Sequence, residues 1–271
     1  MFVNKCKGQD IDVHPTILAI EDWIDQQVRA AHADGVVLGM SGGIDSSLVA
    51  ALCVGALGSS KVLGMILNCG NPRTDVEDAN TIARKFGMQT ENINLVSAFN
   101  TMNESIGGGL CTHRENGIFM ARANLKSRLR MCALYARANE CNSLVVGTTN
   151  LTEAIIGYYT KYGDGGVDIE PIMGLLKREV RMLAQAKGIP DYLVYKAPSA
   201  GLWDGQTDEE ELGATYDQLD DVVVKMITGC GPSADDSSDF RMLYNKVTNM
   251  YCNAEHKRQT PPAAITAICY R

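Results

Sequence analysis

Val36-Val-Leu-Gly-Met-Ser-Gly-Gly-Ile-Asp-Ser-Ser-Leu-Val-Ala-Ala-Leu-Cys53 joins a branched apolar run, a pair of glycines and a second apolar segment. The run Val36 to Met40 predicts a buried strand, and Ser46 to Leu57 predicts a buried helix. The residues between them, Ser41 to Asp45, leave room only for a tight turn, which the glycines permit. Free N–H groups in such a turn, together with the helix dipole, form a cradle for an anion, and phosphate is its natural occupant.

Two familiar phosphate loops do not match this segment. The chain contains no Gly-Lys pair, which the ATPase P-loop requires, and the glycines Gly39, Gly42 and Gly43 lack the spacing of a dinucleotide fingerprint. The segment Ser41 to Ser47 instead resembles the pyrophosphate loop of the N-type ATP pyrophosphatases. That resemblance implies cleavage of ATP between its α and β phosphates and transfer of AMP to an acceptor oxygen.

Strands and helices alternate after this segment. A first helix, starting near Pro15, precedes the key strand; a strand (Lys61–Leu67), a helix (Asp75–Phe86) and a weaker strand (Gln89–Val96) follow it. This order predicts an α/β fold, a doubly wound and mostly parallel sheet with helices on both faces. In such sheets ligands bind beyond the carboxyl ends of the strands, where the anion cradle also lies.

The second half of the chain predicts further elements around the same sheet. We expect a mobile loop over 100–115, a long helix (Ile118–Asn139), a fourth strand (Ser143–Gly147) and a helix (Lys177–Lys187). Two helices follow, about Ala214–Thr228 and Phe240–Glu255, separated by a polar, exposed segment (Gly229–Asp239). We predict one domain over residues 1–271, with a helical C-terminal part from about residue 212.

Composition excludes several classes of protein. The net charge of −7 argues against a general nucleic-acid binder, which needs a basic surface. The longest apolar run, Leu48 to Leu57, is half a membrane span, and the N-terminal residues lack the apolar core of a signal peptide. We therefore expect a cytoplasmic protein with no membrane partner. The nine cysteines form no C-x-x-C pair, so we expect reduced, individually buried thiols rather than a metal site.

A second polar segment, Thr148 to Asp168, follows the fourth strand. It carries hydroxyl groups, a lysine, two acids beside glycines, and one carboxylate, Glu153, among apolar neighbours. In a parallel sheet this segment leaves the same edge as the pyrophosphate loop. Its composition favours a binding loop over a plain surface turn.

Several motifs together make the chain similar to ammonia-dependent NAD synthetase. They are Gly147-Thr-Thr-Asn-x-Thr-Glu153, Thr160-Lys-Tyr-Gly-Asp-Gly-Gly-x-Asp168, Lys177, Ala197-Pro-Ser-Ala-Gly-Leu-Trp203, Gly205-Gln-Thr-Asp-Glu209 and Glu255-His-Lys-Arg258. The resemblance covers most of the chain and implies an adenine nucleotide alpha hydrolase-like, Rossmann-like fold. It implies a ligase that adenylates the nicotinate carboxylate of deamido-NAD with ATP, after which ammonia displaces AMP to form the amide of NAD.

The same resemblance assigns roles to individual residues. The ATP positions are Ser41, Gly42, Gly43, Asp45, Ser46, Ser47, Thr148, Lys177 and Ser199. The deamido-NAD positions are Arg128, Lys161, Asp168, His256 and Lys257. Asp45 and Glu153 would hold Mg²⁺, which suits carboxylate and phosphate oxygens. Asp45, Lys177 and Asp164 would be catalytic, with Asp164 over the reacting carboxylate and placed to receive ammonia.

Some assignments compete with plainer interpretations. Lys177, Arg128 and His256 could also be ordinary surface residues. Ile44 stands where many relatives carry glutamine, Ser199 stands where threonine is common, and Gly229–Asp239 has no assigned role. Alternative functions are another adenylating amidotransferase of the same superfamily and a non-catalytic adenine-nucleotide-binding protein. Retention of both acids with Lys177 argues against the second, and the lack of paired cysteines argues against a tRNA-thiolating enzyme.

The resemblance also implies a nitrogen donor and an assembly. Glutamine-dependent relatives carry a separate amidase domain, whereas about forty residues precede Ser41 here, so we expect free ammonia as the donor. Synthetases of this kind are homodimers that hold deamido-NAD near the subunit interface. Apolar residues spread widely around the predicted Ile118–Asn139 helix, which makes that helix the expected interface.

Overall fold

A computed structural model of the chain describes residues 11–70, 72–107, 115–198 and 207–263, without the side chains of 115–117. Four parallel strands form one sheet in the order β3-β2-β1-β4. Their bounds are β1 Gly35–Gly39, β2 Val62–Asn68, β3 Gln89–Asn94 and β4 Ser143–Val146. The chain runs outward from β1 to β3 on one side and places β4 on the other side. The carboxyl end of β1 therefore lies at the point where the strand order reverses, which is the usual ligand site of such sheets.

The helices surround this sheet. The first seven are α1 Val13–Ala30, α2 Ile44–Leu57, α3 Arg73–Phe86, α4 Val96–Ile106, α5 Glu115–Glu140, α6 Leu151–Ile156 and α7 Lys177–Ala186. The remainder are α8 Asp191–Val194, α9 Asp208–Leu212, α10 Tyr216–Ile227, α11 Ser238–Asn253 and α12 Glu255–Arg258, and a 3₁₀ turn spans Ser59–Lys61. No helix in the described ranges is long and apolar enough to cross a membrane.

Alternate residues of the strands supply two separate cores. Val36 and Leu38 pack with the apolar residues of α1, α2 and α7 on one face, whereas Val37 and Val145 pack with those of α5 on the other. This alternation follows from the period of two in a strand. The predicted doubly wound α/β fold, with a parallel sheet and helices on both faces, is thereby confirmed.

The C-terminal helices form a third core. Tyr216, Leu219 and Val222 of α10 pack with Val247 of α11 and Ile156 of α6. The segment 229–239 between α10 and α11 is mostly exposed, as predicted, and one of its acids, Asp236, pairs with Lys225 of α10. The α10–α11 pair is thus attached to the sheet through α6, directly after β4.

Two predictions from the sequence are wrong in part. The expected mobile loop over 100–115 contains the end of α4, which starts at Val96, so the third strand stops two residues earlier than predicted. Residues 108–114 lie outside the described residues. Of the six cysteines described as free thiols, only Cys53 and Cys69 are buried; Cys132 and Cys252 are exposed on helices, and Cys141 is exposed in the turn after α5. The prediction of buried thiols was wrong for these three because residue type alone does not specify whether a cysteine faces the core or the solvent.

Candidate active site

The turn after β1 has the shape of an anion cradle. Gly42 adopts φ +79°, and a Cβ there would lie 2.3 Å from the carbonyl oxygen of Asp75 in α3. Only glycine fits a position with both a left-handed backbone and this close approach. Gly43 is the N-cap of α2 and has no side chain to cap the first N–H groups of the helix. Those donors are therefore free to meet an anion.

Serine hydroxyl groups brace this turn from behind. The Ser46 and Ser47 hydroxyls donate to the Gly43 carbonyl at 3.1 and 2.7 Å, and the Ser41 and Ser46 hydroxyl oxygens are 2.9 Å apart. Ser46 and Ser47 are buried, whereas Ser41 is exposed. Ile44, where many relatives carry glutamine, is buried in the core beneath the turn. The helix begins at this residue, two positions before the prediction.

Three charged side chains from separate elements meet beside the turn. Lys177, the first residue of α7, places Nζ 2.5 Å from Asp45 Oδ2 and 3.3 Å from Glu153 Oε1. Asp45 is in the first turn of α2, and Glu153 is the third residue of a capping box at the start of α6. The Lys177 side chain is only 2% exposed. It is not the surface lysine that the plainer interpretation suggested.

The electrostatics of this group follow from burial and from its opposite charges. Burial is the largest influence on Glu153 and raises its pKa to about 7, while Lys177 lowers it and Asp45 raises it. Burial alone would lower the pKa of Lys177, but Asp45 and Glu153 raise it above its ordinary value. The ammonium therefore keeps its charge, and Glu153 is the group that gains or loses a proton near neutral pH.

A buried tyrosine connects this group to a third carboxylate. The hydroxyl of Tyr216 lies 3.2 Å from Glu153 Oε1 and 3.1 Å from Asp208 Oδ2, so its single proton serves one of them at a time. Its ring centre is 4.7 Å from the ammonium of Lys177. The hydroxyl of Tyr158 lies 3.1 Å from the other oxygen of Asp208, Oδ1, and 2.8 Å from Glu211 Oε2. Tyr216 of α10, which also contacts Asp208 of α9, thus contacts the carboxyl group of Glu153.

Asp220 fixes the start of the helix that carries Lys177. Its carboxylate accepts the N–H groups of Lys177 and Arg178 at 3.3 and 2.9 Å, together with the hydroxyl proton of Thr152. Asp220 is completely buried. These bonds satisfy donors that the first turn of a helix leaves without partners and join α10 to α6 and α7.

A cavity of about 420 Å³ opens in front of these groups. The predicted residues in its wall are Ser41, Gly42, Gly43, Asp45, Thr148, Glu153, Asp164, Lys177 and Lys257. Asp164 itself is held by the hydroxyl of Ser127, which donates to its Oδ1 at 2.6 Å, and by the N–H of Thr160 at 3.0 Å. The structure therefore brings the predicted metal and catalytic positions, and most of the predicted ATP positions, to one cavity.

Six other predicted residues are not part of the cavity wall: Ser46, Ser47, Arg128, Lys161, Asp168 and His256. Ser199 lies outside the described residues. Asp168 Oδ1 accepts a hydrogen bond from the hydroxyl of Tyr135, and its Oδ2 accepts one from the N–H of Val145.

The other predicted deamido-NAD positions form a connected set. The Arg128 side chain donates to the Lys161 carbonyl, and the Lys161 ammonium donates to the His256 carbonyl. Lys257 lines the cavity, but its ammonium donates to the carbonyls of Gly157 and Tyr159. The geometry groups these residues near α12 without bringing all of them to the cavity.

Comparison with known proteins agrees with this arrangement. The family model described as NAD synthase matches residues 16–261. The chain belongs to the NAD synthase family. It is 44% identical over 248 residues to the NH₃-dependent NAD⁺ synthetase of Methanosarcina acetivorans, and the matched residues cover 90% of this chain and 94% of that relative. The synthetase of the same name from Archaeoglobus fulgidus is also 44% identical, over 245 residues, with 90% and 93% covered.

Two solved structures share the fold of this chain. The NMN synthetase of Francisella tularensis has a TM-score of 0.82 and 31% identity, covering 94% of this chain and 99% of that chain. The NH₃-dependent NAD synthetase of Campylobacter jejuni, solved with a nitrate ion, has a TM-score of 0.76 and 26% identity, covering 94% and 100%. The likeness therefore extends over whole chains and is not confined to the pyrophosphate loop.

Three residues of the site, Tyr216, Asp220 and Asp208, were not predicted from the sequence. Tyr216 and Asp220 are one helical turn apart, on the same face of α10 as the buried Leu219 and Val223. An acid among apolar residues at helical spacing is a signal for a buried polar contact. Asp208 gave no such signal, because it begins an acidic run that resembles an exposed helix start.

Proposed function

We propose that this member of the NAD synthase family amidates deamido-NAD with ammonia at the expense of ATP, giving NAD, AMP and pyrophosphate. The observation that carries the proposal is the meeting of the pyrophosphate loop with Asp45, Glu153 and Lys177 at one cavity. Such a site suits nucleotidyl transfer, which depends on position and on neutralising the charge of the leaving group. The curated relatives, named as NH₃-dependent synthetases, support ammonia as the donor.

The reaction we propose has two balanced steps. An oxygen of the nicotinate carboxylate attacks the α phosphorus, the bond to the β phosphate breaks, and pyrophosphate leaves. Ammonia then attacks the acyl carbon and forms the C–N bond, the C–O bond breaks, AMP leaves with the carboxylate oxygen, and the nitrogen releases one proton to solvent. The free N–H groups after Gly43 would bind phosphate oxygens, and the ammonium of Lys177 would neutralise charge as pyrophosphate departs.

Asp45 and Glu153 are suited to Mg²⁺. Both carboxylates line the cavity proposed for the phosphates, and both contact Lys177 Nζ, so they lie close together. No group of three or more metal-binding side chains was found in the described part of the chain. A pair of carboxylates is the expected donor set for an ion that phosphates also hold. When bound, Mg²⁺ would neutralise charge on the phosphate oxygens.

The test of the proposed function measures products of the purified chain. With ATP, Mg²⁺, ammonium and deamido-NAD we expect NAD, AMP and pyrophosphate in equal amounts, and little pyrophosphate without deamido-NAD. Formation of ADP, or pyrophosphate release that ignores deamido-NAD, would contradict the proposal. A second arm replaces deamido-NAD with nicotinate mononucleotide, because a structural neighbour is an NMN synthetase. A third replaces ammonium with ammonia-free glutamine, which should support little turnover.

Two substitutions test the proposed metal positions. Asp45→Asn and Glu153→Gln should each lower the rate of pyrophosphate release about a hundredfold or more, since a metal ion that neutralises phosphate charge contributes several kcal/mol to transition-state stabilisation. Glu21→Gln is the matched control, because Glu21 also pairs with a lysine but lies outside the cavity wall. Near-normal turnover of either site variant at saturating Mg²⁺ would contradict the assignment of that residue to Mg²⁺ binding.

We also propose a homodimer in the cytoplasm. The exposed apolar side chains Ile118, Phe119 and Met120 of α5 lie at 41–46% exposure, and Met102 and Ile106 of α4 are also exposed. Because α4 packs on α5, these residues can form one apolar surface. Sedimentation at micromolar concentration should give about twice the chain mass of 29.4 kDa. A Phe119→Glu variant should shift the protein to monomer, and a monomeric parent would contradict the proposal.

A further inference from the structure

Lys196 joins three segments at the edge of the cavity. It follows α8, and its Nζ donates to Asp75 Oδ1 at 2.8 Å, to Asp78 Oδ2 at 2.6 Å and to the Gly42 carbonyl at 3.5 Å. Asp75 and Asp78 are three residues apart on α3 and so share a face of that helix. One ammonium therefore touches both α3 and the pyrophosphate loop from a third segment of the chain.

The contact between the loop and α3 is already close without Lys196. A Cβ on Gly42 would lie 2.3 Å from the carbonyl oxygen of Asp75. The lysine thus sits at a junction where the backbone of the loop meets the first turn of the helix. A shift of α3 would be transmitted to Gly42 directly, because no side chain lies between them.

The ion pairs of Lys196 are partly shielded from water. The side-chain exposure is 31% for Lys196, 19% for Asp75 and 15% for Asp78. Burial alone would lower the pKa of Lys196, but hydrogen bonds with Asp75 and Asp78 raise it above its ordinary value. The lysine therefore stays charged and offsets one of two acids beside a site proposed to bind a triphosphate.

We propose that Lys196 is a positioning residue for ATP, which holds the pyrophosphate loop against α3 in its phosphate-binding shape. The proposal rests on the proposed use of ATP. Without the ammonium, the Asp75 carboxylate in the cavity wall would face the incoming triphosphate without its cation, and the junction at Gly42 would loosen. Both effects weaken the binding of ATP more than the later chemistry, since Asp45, Glu153 and Lys177 keep their own contacts.

The experiment separates positioning from general stability. Lys196→Met is expected to raise KM for ATP at least tenfold and to change kcat less than threefold, and Lys196→Arg should recover most of the loss. Lys187→Met is the matched control. Lys187 forms a comparably shielded pair with Glu21 between α7 and α1, with side-chain exposures of 19% and 15%. It should lower the melting temperature and leave KM for ATP unchanged.

Binding of Mg-ATP by titration calorimetry keeps the test independent of turnover. If the parent makes no NAD, the proposed function fails, but a tenfold loss of ATP affinity in Lys196→Met would still support the role of Lys196. A folded Lys196→Met variant with KM and affinity within twofold of the parent would overturn the inference. An equal loss in Lys187→Met would also overturn it, because the effect would then be one of stability.

Discussion

Removing the ammonium of Lys177 should destabilise the protein in a pH-dependent way. The Lys177 side chain is 2% exposed between Asp45 and Glu153, whose side chains are 17% and 14% exposed. Removing one partner of a buried ion pair costs about 3–5 kcal/mol of stability, because the charge of the other partner is left uncompensated. We therefore expect Lys177→Met to lose about 3–5 kcal/mol of unfolding free energy at a pH where both carboxylates are ionised.

Protonation of Glu153 limits that loss at lower pH. The pKa of Glu153 is about 7 in the parent against an ordinary value of 4.5, and Lys177 is one of the groups that lower it. Without the lysine its pKa rises further, so the folded variant takes up a proton that the unfolded chain does not. The stabilising effect of this proton is fully present below pH 4.5 and is lost as pH rises through the folded pKa. The deficit of the variant should therefore grow from pH 5.5 to pH 8.5.

Urea unfolding followed by circular dichroism at pH 5.5, 7.0 and 8.5 measures this dependence. An Asp45→Asn/Lys177→Met double variant should be more stable than Lys177→Met alone, because it removes one of the uncompensated charges. Arg73→Gln breaks an exposed pair with Glu77 and should cost only about 0.3–0.5 kcal/mol. A Lys177→Met deficit below about 1 kcal/mol at pH 8.5, or one that ignores pH, would refute this reasoning.

Three further substitutions test separate parts of the site. In the parent, ionisation of Glu153 should lower the free energy of unfolding as pH rises from 4.5 to about 7. Urea unfolding of Glu153→Gln should show a smaller dependence on pH over this range. Asp220→Ala leaves a buried hydroxyl and two N–H groups at the start of the Lys177 helix without an acceptor; it should cost about 3 kcal/mol or more, and a loss under 1 kcal/mol would contradict the assignment. Gly42→Ala should weaken Mg-ATP binding at least tenfold by calorimetry, whereas Gly58→Ala, with the same φ of +79° and open space around it, should leave binding unchanged.

Local sequence signals were sufficient for the centre of the fold. The short branched run before Gly42 and the longer apolar segment after it differ in length and composition and are separated by a glycine turn, and the strand and helix were found there. Element ends were less predictable. Val96 fits a strand by composition, but the Asn94 side chain accepts its N–H at 3.0 Å and turns the chain into α4. That bond depends on the local turn and leaves no periodic pattern.

The site was predictable where its residues belong to contiguous motifs. Asp45, Glu153 and Lys177 come from three motifs that parallel strand order brings to one edge of the sheet. Lys196 contacts Gly42 and Asp75, and Tyr216 contacts Glu153. Each of these partners is at least 63 positions away in the sequence. A single sequence does not specify such pairs, because many lysines and tyrosines could meet an acid once the chain is folded.

The path of one oxygen atom tests the central claim most directly. The purified chain would convert deamido-NAD labelled with ¹⁸O in the nicotinate carboxylate, with ATP, Mg²⁺ and ammonium, and the products would be examined by mass spectrometry. Attack of the carboxylate on the α phosphorus predicts one ¹⁸O atom in each AMP and none in pyrophosphate. Label in inorganic phosphate or pyrophosphate, or AMP without label, would contradict adenylation at this site.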